Sequence, residues 1–437
     1  MSRNFDRAAA VRLSKPLGSL FGCSVLLITS SAWGQDLSLA SVVKLALSRN
    51  ERAEIAEQNV VAADAAVTKA RAAFLPSLNL TAGETYRPQQ VETNTVKNNA
   101  ATAALTLSQP LFNATAFPLY ASAKHSYNSA LYNHLDLRRQ LAFDAARGFF
   151  AVIAQQRVLK AAQSRLDLAN ATLDDTQVRA SAGLTSSNDV TRSQIEQASA
   201  DQSSISANNS LQAARLNLEY LIAEPTQIQT DLAAPTQSLA PVNQSLPGLV
   251  NVAIATRPDL ASLRAAAASA SSLAEEPGLR FVPTLNGSAS ARTQDTPFSG
   301  SRYVDTTLAI NFNWAIWDGG VRDADADSRN AARISAELQL RALARRVEID
   351  VRVAIAELTA ARNSLVAAQQ GQDAATRSEE ETNVLYKQGL AKAIELVDSN
   401  SSKFDAEVAV AAAELGVRQA ELDLRAALGL FPLDGLQ

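Results

Sequence analysis

"FLPSLNL", Phe74 to Leu80, returns 207 residues later as "FVPTLNG", Phe281 to Gly287. Each copy precedes a short run in which small or apolar residues alternate with polar ones. Proline stops a helix and biases the residue before it toward extended backbone, so both copies mark a passage from helix to strand. Three further matches recur in the same order at an offset of about 206 residues. "ALSRNERAEIA" from Ala46 aligns with "AIATRPDLASL" from Ala253, "AGLTSSNDV" from Ala182 with "QGLAKAIEL" from Gln388, and "LNLEYLIAEP" from Leu216 with "LDLRAALGLFP" from Leu422. Four matches in one order imply a tandem duplication.

Each copy reads as helix, strand, strand, very long helix, turn, long helix. The first repeat covers 35–224, with strands at about 77–87 and 100–110 and long helices at about 113–182 and 187–222. The second covers 249–432, with strands at about 284–293 and 302–313 and long helices at about 320–388 and 392–429. A Pro-rich connector, 225–248, joins them, and a tail, 433–437, follows. Proline placement carries the helix assignment: none lies between Pro118 and Pro225, and none between Pro297 and Pro432. Proline in a helix interior costs about 3 kcal/mol, so tracts this long, rich in Ala, Leu, Gln, Glu and Arg, read as continuous helix. Gly183 and Gly389 break them, because glycine takes the left-handed conformation that ends a helix; Ser186, Ser187 or Asn188 can cap the next one. A helix from Ala114 to Ala182 is about 100 Å long and must bury its Ala, Val and Leu stripe against other helices, in a coiled coil or a barrel of helices.

In the strands, Leu78, Leu80 and Ala82 alternate with Asn79, Thr81 and Gly83, and Leu105 and Leu107 with Thr106 and Ser108. The second copy repeats this with Leu285, Gly287, Ala289 and Ala291, then Val304, Thr306, Leu308, Ile310 and Phe312. Period-two alternation over about 10 residues fits a soluble sheet with one wet face or the wall of a transmembrane barrel. Four strands cannot close a barrel, and an open edge in lipid leaves backbone groups unsatisfied, so a membrane wall requires several chains. Phe112, Trp314 and Trp317, with Phe298 and Tyr303, stand near strand ends, where an interfacial aromatic girdle belongs.

The first 34 residues read as an export signal: a basic start (Arg3, Arg7, Arg12, Lys15), an apolar run from Leu17 to Ile28, and a small-x-small site at Ala32 to Gly34. The alternative is a lipobox, "LFGC", with Cys23 lipidated. Removing 1–34 leaves 36 Lys and Arg against 43 Asp and Glu, a balance that argues against a nucleic-acid partner. Cys23 is the only cysteine and Met1 the only methionine, so the exported part offers no disulfide, no thiolate and no methionine-lined copper path.

An export signal, a repeat of about 206 residues, two strand hairpins and very long paired helices together resemble the TolC family of outer membrane efflux proteins. The resemblance covers essentially the whole chain after the signal. It implies a mainly α fold with a transmembrane β-barrel: a homotrimer in which three protomers share one 12-stranded barrel, continued by a periplasmic α-helical barrel. It also implies an outer membrane location, a periplasmic membrane fusion (adaptor) protein and an inner membrane transporter as partners, and no cofactor. Cargo, whether drug, protein or metal, is then set mainly by the pump.

Local motifs sharpen the resemblance. "GLTSSNDV", Gly183 to Val190, fits the family's tip pattern of Gly-Leu, four variable residues and Asp-Val, and "YKQGLAKAIELVD", Tyr386 to Asp398, resembles its Tyr-x-x-Gly tip and acidic pair. The resemblance implies adaptor-contacting tips at Gly183, Leu184, Gly389 and Leu390, a hydrogen-bonded latch between Asp189 and Tyr386, and an acidic aperture ring from Glu395 and Asp398. Acids three apart share one helix face, and near a helix start the dipole favours them, which agrees with the last assignment. One departure is that an arginine of the family's closing network falls at Ala391, with Lys392 the nearest base.

Catalytic chemistry is not in view. His125 and His134 are nine residues apart and half a turn out of phase on one helix, so they cannot share a ligand. "DGGVRD", Asp318 to Asp323, lacks phosphate-cradle spacing and reads as a strand-to-helix turn. The sequence therefore points to a passive exit duct, the alternative being a periplasmic coiled-coil scaffold or adaptor without a pore.

Overall fold

The proline-free tracts become the four longest helices of the computed structural model, which describes residues 38–86, 99–223, 245–295 and 302–434. The export signal with Cys23, nearly all of the connector, Phe298 and the last residues of the tail lie outside the described residues, as does the side chain of Tyr303. In chain order the elements are α1 (Leu39–Arg49), α2 (Glu51–Arg71), a 3-10 turn (Ala72–Phe74), β1 (Ser77–Tyr86), β2 (Asn99–Phe112), α3 (Ala116–Ser181) and α4 (Ser187–Ile222). Then come α5 (Leu246–Thr256), α6 (Pro258–Leu279), β3 (Thr284–Asp295), β4 (Arg302–Asn313), α7 (Val321–Lys387) and α8 (Ala393–Ala427). Apart from the 3-10 turn, the two halves present the same kinds of element in the same order.

Helix ends follow local chemistry. Both α3 and α7 stop at a left-handed glycine, Gly183 at φ 72° and Gly389 at φ 77°. In each case the glycine N–H reaches back to Ala180 or Tyr386, and the following leucine N–H to Arg179 or Leu385, at 2.8–3.0 Å. This pairing satisfies carbonyls that would otherwise be orphaned at the helix end. α4 ends instead on Ala223 at φ 51°, the only non-glycine described with a positive φ.

α3 with α4 and α7 with α8 form two antiparallel hairpins, and α3 also packs against α8 to join them. The main core lies part-way along α3, where α1 closes over it: Val42, Val43 and Ala46 meet Leu141, Phe149, Val152, Leu218, Ile222 and Leu422. A second cluster repeats the arrangement under α5, with Leu249 and Ala253 against Val347, Val351, Leu424 and Leu428. Burying such a side chain contributes about 1.5–3 kcal/mol, so these two belts anchor helices that are thin elsewhere.

α6 lies between α3 and α7. Toward α7 it is tied by Arg257 to Asp350 (3.1 Å) and Arg280 to Asp325 (2.6 Å). Toward α3 the contact is close and polar: Ser269 meets Ser122 at 2.8 Å and Ser126 at 2.9 Å, and Ser262 meets Ser129 at 3.0 Å. α2 lies along α3, with Arg52 on Asp144 at 2.9 Å.

The strands form one antiparallel sheet in the order β1-β2-β3-β4. Leu80 faces Leu105, Leu105 faces Ala291, and Ala289 faces Leu308. β2 runs on through Pro110 to Phe112, and its register against β3 shifts between those two residues. Proline cannot donate to the ladder, and a bulge is where a sheet tolerates it.

Candidate functional site

Register turns the alternation of single strands into two faces. One carries Leu78, Leu80, Leu105, Leu107, Ala289, Ala291, Leu308, Ile310 and Phe312; the other carries Asn79, Thr81, Thr106, Ser288, Ser290, Asn311 and Thr307. The large apolar side chains are uncovered, Leu308 being 80% exposed. Among the described residues, both edge strands, β1 and β4, have a free edge. Such a surface is stable where lipid covers the face and further strands pair the edges.

Phe112 ends β2, and Trp314 and Trp317 follow β4, so all three stand at the helix side of the sheet. Trp317 is 84% exposed, whereas Trp314 donates its indole N–H to the Phe281 carbonyl at 2.9 Å and meets the Phe281 ring edge-on. The guanidinium of Arg322 sits over that ring at 5.0 Å. The Phe of "FVPTLNG" is thus held from both sides at the junction of sheet and helices.

At the opposite end of the long helices, Leu184 and Leu390 project from the two turns, 77% and 72% exposed. Glu395 and Asp398 both lie on the exposed face of α8, while Leu396, Ser399 and Asn400 are buried. Lys392 is the N-cap of α8, and Ala391 packs against a small cluster of Tyr386, Ala393 and Leu396.

The Asp189 to Tyr386 hydrogen bond expected from the resemblance is not formed within the protomer. Asp189 sits three residues after the N-cap Ser186, and its carboxylate accepts from the Thr185 hydroxyl (2.7 Å) and from the Ser186 hydroxyl (2.8 Å) and backbone (3.2 Å). Ser186 in turn accepts from the Asp189 N–H, completing a capping box. These donors, led by Thr185, hold the Asp189 carboxyl below the usual carboxylate range. Tyr386 is buried, which pushes its hydroxyl pKa up, and that hydroxyl lies 3.2 Å from Thr176 on α3. Thr176 also lies 3.3 Å from Ser193 on α4. Arg179, one turn beyond Thr176, donates to the Tyr386 carbonyl at 3.3 Å and stacks its guanidinium on the ring at 4.7 Å. The clasp between the hairpins is therefore Tyr386 with Thr176 and Arg179. Only the i, i+3 spacing of those two on α3 hinted at it, and nothing in the sequence says which helix they face.

The outer membrane efflux protein model matches residues 42–224 and 249–430. The chain belongs to the outer membrane efflux protein family. Among curated relatives, the outer membrane protein TolC of Escherichia coli K12 is 24% identical over 95% of this chain and 87% of its own length. Among solved structures, the CmeC outer membrane channel of Campylobacter jejuni superposes with a TM-score of 0.77 at 15% identity, over 90% of this chain and 85% of that one. The open state of the MtrE outer membrane channel of Neisseria gonorrhoeae gives 0.75 at 20% identity, over 91% and 90%. As an outer membrane efflux protein the chain is an exit duct and not an enzyme, placed in the outer membrane with its helices in the periplasm. Membership sets aside the poreless scaffold.

Proposed function

We propose that three copies of this tandemly duplicated chain close a single 12-stranded barrel, and that it passively conducts cargo from an inner membrane transporter by way of a periplasmic adaptor. The observation that carries the reading is the sheet: an uncovered apolar face and two free edges on four strands. Pairing β4 of each copy with β1 of the next satisfies every edge and leaves lipid to cover the apolar face. Phe112, Trp314 and Trp317 then mark the periplasmic membrane interface. Gly183, Leu184, Gly389 and Leu390 form exposed corners for the adaptor, and the Tyr386 clasp keeps the hairpins of each protomer together.

Glu395 and Asp398, brought round a threefold axis, gather six carboxylates at the aperture. Their field favours cations. Single-channel recording of the protein in a planar bilayer tests this: the Glu395→Ala, Asp398→Ala variant is expected to lose cation preference or gain conductance. Unaltered conductance and selectivity would refute the ring.

A further inference from the structure

Three arginines of α3 meet α8 in antiparallel order: Arg147 on Asp423 at 2.6 Å, Arg157 on Glu414, and Arg165 over the Phe404 ring at 5.1 Å. Higher still, Arg139 donates to the Ala426 carbonyl at 2.7 Å. From the core belt down to Phe404 the two hairpins are thus tied at intervals of roughly two to three turns. Below that level the pattern stops. Among the described residues, the hydrogen bonds from α3 to the second hairpin there, by Thr176 and Arg179, end on Tyr386.

What fills the seam changes at the same level. Between Phe404 and the Tyr386 clasp, α3, α7 and α8 surround a cavity of about 260 Å³ bordered by Thr172, Asp175, Glu379, Asn383 and Asn400. The Asn400 Oδ1 is buried without a hydrogen-bond partner. An unsatisfied buried acceptor is destabilising, and parting the hairpins would give it water. Above Phe404, a cavity of about 410 Å³ is lined by Phe150, Ile153, Leu365 and Leu415 and bordered by the Arg157 to Glu414 ion pair. Opening the seam there would expose apolar surface and break the pair.

Arg165 is suited to mark that boundary. Its guanidinium donates to both Glu196 oxygens, at 2.9 and 3.2 Å, so α4 holds it in place while its face stacks on Phe404. A stack tolerates a change of angle that a hydrogen bond, which weakens steeply when bent, does not. We propose that Arg165 and Phe404 are the fulcrum of the periplasmic tip: once the Tyr386 clasp releases, the two hairpins part as far up as this stack and no further. The proposal rests on the clasp reading above and is independent of the ring.

Gly389 lies 15 residues below Phe404 and 25 below Glu414, about 22 Å and 38 Å of helix. Losing the fulcrum moves the pivot to the next tie, Arg157 on Glu414, and lengthens the lever about 1.7-fold. Spin labels at Leu184→Cys and Leu390→Cys of the full chain, in a Cys23→Ser background and diluted with unlabelled chain, report the gap between the two turns of one protomer by double electron-electron resonance. Arg179→Ala with Tyr386→Phe breaks the clasp and is expected to widen the gap. Adding Phe404→Ala should enlarge that increment about 1.7-fold. Adding Phe404→Trp, which keeps a ring face for the guanidinium, should not, and Phe404→Ala alone should leave the wild-type gap. This conditional effect separates a fulcrum from a latch and from general loosening. A gap that widens with Phe404→Ala alone, or that Phe404→Ala leaves unchanged in the clasp-free chain, overturns the fulcrum and leaves the clasp standing. No widening when the clasp is broken overturns both.

Discussion

Leu308 and Thr307 are adjacent, yet a charge should have opposite consequences at the two positions. Both lie at the middle of β4, a 12-residue strand about 40 Å long at 3.3 Å per residue. Leu308 pairs with Ala289 on the apolar face; Thr307 pairs with Ser290 on the polar one. An arginine on the lipid face near the bilayer midplane costs about 2–4 kcal/mol in a transmembrane barrel. In the proposed three-chain barrel, three copies of Leu308→Arg cost about 6–12 kcal/mol, comparable with a typical folding margin of about 5–15 kcal/mol. Thr307→Arg places its charge toward water, where substitutions usually stay within about 0.5 kcal/mol. The assay is the yield of protein in the outer membrane fraction, followed by conductance of what is recovered. Leu308→Arg should be largely lost and Thr307→Arg recovered near the wild-type level with a shift toward anions. Recovery of both variants at the wild-type level would refute the assignment of faces, and loss of both would mean that β4 faces no aqueous lumen.

Two smaller predictions concern the helix ends. Gly429 has φ 74°, and a Cβ there would fall 2.7 Å from the Arg257 nitrogen, whereas at Gly183, φ 72°, it would meet nothing within 4 Å. Gly183→Ala should cost only the left-handed penalty, about 1–2 kcal/mol, and Gly429→Ala about 1–3 kcal/mol more through overpacking, as read by thermal melts in detergent. The Asp189 carboxyl is lowered in the folded chain, so its contribution is complete above the ordinary aspartate value and is lost as pH falls through the lowered one. Acid melts should show the Asp189→Asn variant losing less stability than wild type below about pH 4, with the two curves parallel near neutrality.

How much of this was open to reading in the sequence depends on the range of the cause. Strand faces are legible because alternation is local: Leu78 and Leu80 sit opposite Asn79 and Thr81 whatever the partner strand. The stops at Gly183 and Gly389 are local too. The bulge after Pro110 is not, because the proline says that a ladder bond is missing but not that β2 continues past it. The belt of core around Leu141 and Phe149 was equally hidden, since Ala, Val and Leu run the length of α3 and only α1, folding back, selects a segment. At the tip, the Ser186-x-x-Asp189 spacing is itself that of a capping box, a local signal that needs no partner helix. Tyr386 finds Thr176 across 210 residues of sequence, a pairing fixed only once both hairpins lie side by side.

α3 and α7 contain 66 and 67 residues. At about 1.5 Å per residue, two independently terminated rods differ in length by roughly one atomic diameter. If both hang from the same sheet, their turns reach the same depth, and a ring built from them has a flat sill rather than a stepped one. A lid with regularly spaced feet would then sit level on that sill, and adding or deleting a single helical turn in one rod alone would tilt it by about 5 Å.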